Sequence, residues 1–317
     1  MTPAVPASQT PDLAASPDAQ VVVDTAAPID LPMSLAPLAH GRGDPTIRLE
    51  PWGAWRATRT PDGPATTRIV GRGTSVSVAS WGPGASWVIG HATDLVGAND
   101  RPDALIPHHP VIAELVHRLP GLRLPASLRP FDALLPAICE QKITGVEARA
   151  VFRAIIRAHG EPAPGPGRLR LLPDPSVLAE LPYFAFHRLG LERRRAELIR
   201  HCATLAPRLD RLTPPQVALL LGRVRGIGPW TVAEVVRVAY GDPDAVSVGD
   251  AHLSHVVAFA LTGRPRGTDE EMLRLLAPWS GHRARVVRLL ETSGIGPPRF
   301  GPRVAPRDLV RDMAPYR

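Results

Sequence analysis

The chain has 317 residues, 44% hydrophobic and 21% charged, a globular composition long enough for two ordinary domains. Its 37 Lys and Arg against 30 Asp and Glu give a net charge of +7, and Lys142 is the single lysine, so chemistry through a lysine amine has one position to work from. Two cysteines, Cys139 and Cys202, exclude a disulfide scaffold, a four-thiolate zinc site and a four-thiolate iron–sulfur cluster.

The first forty residues hold Asp12, Asp18, Asp24 and Asp30 and no Lys or Arg, so no targeting peptide with an early positive region is read. No apolar run approaches the roughly 20 residues of a membrane span. The expectation is a soluble, cytoplasmic, monomeric protein. Residues 1–38 are rich in Ala, Pro and Asp and read as a disordered tail. Leaving out that tail's charge of −4 puts +11 on the remainder, which fits either a polyanionic partner or merely the arginine-rich composition of a GC-rich genome.

The next segment, 39–107, is read as an N-terminal domain that alternates with period two from about 45 to 95, as in Ile47-Arg48-Leu49, Thr67-Arg68-Ile69-Val70 and Ser75-Val76-Ser77-Val78-Ala79-Ser80-Trp81. With turns such as Pro61-Asp62-Gly63 between the runs, it reads as a small antiparallel sheet with one face covered. From about 108 the period becomes 3.6. His109 to Leu119 reads as a helix, and Phe131, Leu134, Leu135 and Ile138 share one face of the next. Thr144-Gly145-Val146-Glu147 is a capping box opening a helix that runs to His159 and stops at Gly160. Further helices are read at about 191–206, 214–224, 229–240, 251–262, 268–276 and 281–291. Residues 293–317 read as a tail entered by the turn Gly294-Ile295-Gly296-Pro297. The fold class is α+β: a small antiparallel-sheet N-terminal domain, then an all-helical, two-lobed domain over 108–292.

The sharpest local signal is Val224-Arg225-Gly226-Ile227-Gly228-Pro229-Trp230-Thr231, where one helix ends at a glycine turn and another begins at once. Backbone amides in such a turn and in the first turn of the new helix lack intrahelical partners and suit a phosphate. A plain helix–turn–helix connection would read the same way. Further on, Ser247-Val248-Gly249-Asp250 precedes a helix with Leu253, Val256 and Val257 on its apolar face. Asp250 is therefore an N-cap, a place that also favours a fixed anion able to stabilise a cationic transition state and orient water.

Together these segments resemble the helix–hairpin–helix base-excision DNA glycosylase superfamily, and within it the 3-methyladenine DNA glycosylase II branch. The resemblance extends to Pro120-Gly121-Leu122-Arg123-Leu124-Pro125, to Ala137-Ile138-Cys139-Glu140-Gln141-Lys142-Ile143-Thr144, and to Ala277-Pro278-Trp279-Ser280 with His282-Arg283-Ala284. It implies a DNA glycosylase that flips and hydrolytically excises alkylated purines from duplex DNA, with Asp250 as the catalytic aspartate and no cofactor. It implies that Gly226, Ile227, Gly228 and Thr231 grip the DNA backbone, on an element that in such enzymes often carries a monovalent cation on its carbonyls. No metal is implied on side chains. Trp230 and Trp279 match positions lining the base pocket; each could instead be a core residue. Gln141 matches a DNA-facing position, and Lys142 stands where an apolar wedge is common. Glu234 would attract a cationic base in the pocket or else sit on the surface, and His252 would join the pocket or else face solvent. Strand-cutting relatives carry a lysine where this chain has Trp230, which implies no lyase activity. The alternatives are a non-catalytic DNA-damage-binding protein of the same fold and a glycosylase for oxidised or mismatched bases.

Overall fold

The computed structural model describes residues 16–298. The chain opens with strand β1 (Ala19–Asp24) and a short helix α1 (Leu31–Leu35), then strands β2 (Ile47–Glu50), β3 (Gly53–Thr60), β4 (Gly63–Arg72) and β5 (Ser75–Trp81). All pairings are antiparallel, in the order β1-β5-β4-β3-β2, with Ile69 opposite Val78 and Ala54 opposite Ile69. The structure is thus α+β, as the alternating and helical periods imply.

Two expectations for this region need correction. Residues 19–38, placed in a disordered tail, are ordered elements. Val21 and Val23 pair opposite Val78 and Val76, and Leu31, Leu35 and Leu38 are buried in the core beside the sheet. Bulk composition diluted these few apolar residues in the surrounding Ala and Pro. Residues 1–15 lie outside the described part. The sheet also has apolar clusters on both faces, not one. Leu31, Ala54, Ile69 and Val78 pack with helices α2 (Ala85–Gly90) and α3 (Ala92–Leu95). Trp55 and Trp81, alternating with them across the pleat, stack 5.5 Å apart and pack with Leu169 and Leu171 from a later loop.

The helices that follow are α4 (Pro110–Arg118), α5 (Pro130–Glu140), α6 (Gly145–His159), α7 (Pro175–Glu180), α8 (Tyr183–His187), α9 (Arg193–Leu209) and α10 (Pro214–Gly222). After them come α11 (Pro229–Tyr240), α12 (Leu253–Thr262), α13 (Asp269–Leu276) and α14 (Arg283–Ser293). The capping box of α6 forms as read, with Thr144 N donating to Glu147 Oε2 at 3.0 Å and Glu147 N donating to Thr144 Oγ1 at 3.4 Å. Gly294, at φ +71°, ends α14 where the turn was read.

Two hydrophobic clusters organise these helices. The first joins α5, α6 and α7 through α11 around Leu134, Ile138, Ile155, Phe186 and Ile199. The second joins α4 with α12, α13 and α14 around Ile112, Val257, Leu276 and Leu290. Among the described residues no helix is long and apolar enough to cross a membrane. The hairpin before α11 is rooted in the first cluster and the segment carrying Asp250 leads into the second, so the two functional signals meet where the clusters adjoin.

Candidate active site

The turn between α10 and α11 is fixed from beneath. Val224 and Ile227 drop into the first cluster with 8% and 7% of their surfaces exposed. Gly226 takes φ +102°, a left-handed conformation that a side chain would strain. Gly228 is different. Its φ of −102° suits any residue, and a Cβ built there would meet nothing within 4 Å. The protein interior does not demand glycine at 228; the bare backbone there stands open beside the unpaired amides that begin α11. Pro229, at the first position of that helix, has no N–H to leave unpaired.

Asp250 sits across from the start of α11 and is half-buried. Its Oδ1 accepts the backbone N–H groups of His252 at 2.8 Å and Leu253 at 2.9 Å, the capping arrangement read from sequence. Its Oδ2 accepts the indole N–H of Trp230 at 3.3 Å. The carboxylate is therefore oriented from both sides, with Trp230 at its shoulder and lone-pair capacity remaining on Oδ2.

The segment from the end of α11 to Asp250 is fastened by further carboxylates. Asp242 accepts the amides of Asp244 and Ala245 at 2.8 and 3.0 Å. Asp244 accepts Gly281 N at 2.8 Å and Arg283 Nε and Nη2 at 2.8 and 2.5 Å. Burial opposes the charge of Asp244, but these bonds outweigh it and hold its carboxyl below the usual range. Asp269 accepts Gly249 N at 2.9 Å. Neither cysteine adds a nucleophile, since burial pushes both thiols up to about 12.

Several residues read as site members have other tasks. Gln141 does not project freely: its Nε2 donates to Gly226 O at 3.1 Å and Thr231 Oγ1 at 3.0 Å, tying the end of α5 to the hairpin. Thr231 is 2% exposed and Ile227 is buried, so neither side chain is on a DNA-facing surface. Trp279 is 5% exposed within the second cluster, its Nε1 donating to Ile106 O at 3.0 Å. A ring that enclosed has no free face for a base. Glu234 is also withdrawn from any pocket, because Arg237, one turn on, donates to its Oε2 at 2.7 Å and Ser247 Oγ donates to its Oε1 at 2.5 Å. The His252 side chain is exposed, and its backbone amide, not its imidazole, is what meets Asp250. Lys142 is exposed in the turn after α5 at φ +57°, uncommon for a residue with a side chain.

Arg223 and Arg225, which the sequence reading passed over, flank the hairpin as exposed guanidiniums with no carboxylate partner among the described residues. Their proximity to the turn was visible in the sequence; their freedom was not. Ser247 offered no local signal, for its partner lies on another element.

No family model matches the chain. The chain is 25% identical over 158 residues to YfjP of Bacillus subtilis, provisionally named a DNA-3-methyladenine glycosylase; the match takes in 47% of this chain and spans only 53% of that protein. Among solved structures, a 3-methyladenine DNA glycosylase from Archaeoglobus fulgidus superposes with a TM-score of 0.71 at 18% identity, over 87% of this chain and 99% of that one. An 8-oxoguanine glycosylase/lyase from Clostridium acetobutylicum, solved with double-stranded DNA containing cytosine opposite 8-oxoguanine, gives 0.65 at 11% identity, over 86% and 97%. Those shares take in the sheet as well as the helices. The chain thus shares its fold with these DNA glycosylases.

Proposed function

We propose that the chain is a monofunctional DNA glycosylase that hydrolyses the N-glycosidic bond of alkylated purines such as 3-methyladenine in duplex DNA. The observation that carries this reading is the oriented Asp250 carboxylate beside Trp230, directly across from an open glycine hairpin. The names of the Bacillus and Archaeoglobus relatives point to the same lesion class.

In this reading, the α11 amides and the backbone at Gly228 take a phosphate next to the lesion, helped by Arg223 and Arg225. The nucleotide leaves the stack and its sugar comes to rest over Asp250. As the C1′–N bond breaks, the electron pair goes to the base and positive charge develops on the sugar, where the carboxylate stabilises it. Water adds at C1′ and gives up one proton, with Asp250 Oδ2 the adjacent acceptor, while its other proton stays on the new hydroxyl. An alkylated purine carries its positive charge into the ground state, so it leaves readily and favours the face of Trp230 beside an anion. The position one residue into α11 that would hold an amine in a strand-cutting enzyme holds this indole instead.

The test is a panel of duplexes carrying 3-methyladenine-type, 8-oxoguanine and mismatched bases, with released base measured by chromatography and borohydride trapping in parallel. Release confined to alkylated purines, with no trapped adduct, is the expected result. Release of 8-oxoguanine with a trapped adduct would move the chain to the bifunctional class; binding without release from any duplex would make it a damage-binding protein.

A further inference from the structure

Glu234 and Ser247 lie thirteen residues apart on different elements, and their contact is the closest tie between α11 and the segment that carries Asp250. Ser247 is 6% exposed and the Glu234 side chain 18%, so water competes poorly for either. Arg237 holds the other oxygen of Glu234 at 2.7 Å and reaches Glu291 on α14 at 3.4 Å. Although burial opposes its charge, these two carboxylates raise the affinity of Arg237 for its proton and keep it cationic. The brace thus runs from α11 to a helix of the second cluster. On its loop side, Ser247 O accepts the backbone N–H of Asp250 itself at 3.3 Å.

We propose that Glu234 and Ser247 are positioning residues: their contact sets where the Asp250 carboxylate stands relative to Trp230. This inference rests on the reading of Asp250 as the catalytic group. Trp230 and Glu234 are one turn apart on the same face of α11, so that face contacts the loop twice, once at the carboxylate and once three residues before it. Upstream, the Asp244–Arg283 contacts already fasten the loop, so losing the Ser247 tie does not free the whole segment. Between Ser247 and Asp250 lies Gly249, exposed and at φ +92°, whose amide donates to Asp269 Oδ2 at 2.9 Å, so a released Ser247 would leave that bond and a permissive backbone to hold Asp250 in place. Displacing a reacting group by about 1 Å can cost about a hundredfold in rate.

The experiment compares Ser247→Ala, Glu234→Ala and the double variant with wild type in saturating base-release kinetics on an alkylated duplex, with hydrogen exchange at the His252 and Leu253 amides. The expected result is a kcat lowered about 10- to 100-fold with KM for duplex unchanged, a double variant no slower than the slower single, and faster exchange at both amides. If Glu234→Ala does not fold, Ser247→Ala carries the test alone. Wild-type kcat and wild-type exchange in Ser247→Ala, or a loss confined to KM, would overturn the proposal. Should wild type release no base, the proposed function falls, while amide exchange still decides whether this contact positions Asp250.

Discussion

Trp230 follows Pro229 at the start of α11 and spends its one hydrogen-bond donor on Asp250. Replacing it by Phe keeps a ring against the pocket and removes that donor, a loss of about 1 kcal/mol for a single bond and so about fivefold in kcat. Base-release kinetics would show this as a rate effect with duplex affinity retained; equal loss from both would mean that the ring, not the donor, matters. The Asp250 turn and the start of α11 at Pro229 and Trp230 were legible in the sequence because capping and helix-start chemistry are local. Glu234 and Trp279 were misplaced because their partners, Ser247 and Ile106, are brought to them only by tertiary packing. A residue type states what a side chain can bond to, and only the fold states which bonds remain free.

At the level of elements, the stretch between α11 and α12 has no regular secondary structure and depends on side chains to hold its path. Asp244 is its upstream fastening, through Gly281 and the guanidinium of Arg283. Because its folded carboxyl titrates below the ordinary value of about 3.9, its contribution is complete above that value and is lost as pH falls below it. Asp244→Asn should therefore cost about 1–2 kcal/mol of stability near neutral pH, measured by urea denaturation, with the gap to wild type closing in acid. A gap that stays constant down to the acid limit would show that the charge on Asp244 contributes nothing. The helices themselves were largely legible, α6 down to its capping box, because hydrophobic period and caps are written locally. Strand β1 and helix α1 were not, since they form only when paired with β5 or laid against the sheet.

Across the whole molecule, buried ion pairs lock the sheet to the helices. Arg56 of β3 meets Asp132 of α5 at 3.6 Å, and Arg285 of α14 forms a bidentate pair with Asp100 on the segment after the sheet, each side chain under a sixth exposed. Breaking such a pair by removing one partner typically costs about 3–5 kcal/mol, so these arginines are spent on architecture and not on a ligand. The count of 37 Lys and Arg consequently overstates how many cations are free to meet a polyanion. Arg223 and Arg225 are among those that remain free. Replacing either by Ala should lower the slope of log affinity against log salt by about 1, measured on duplex DNA across salt concentrations. An unchanged slope would remove that arginine from the interface.

Everything in the proposed chemistry passes through one carboxylate, and Asp250→Asn changes its charge while keeping its size. Base release and duplex binding, measured side by side for this variant and wild type, should show release abolished and binding of the alkylated duplex intact or improved. Release at the wild-type rate would contradict the account.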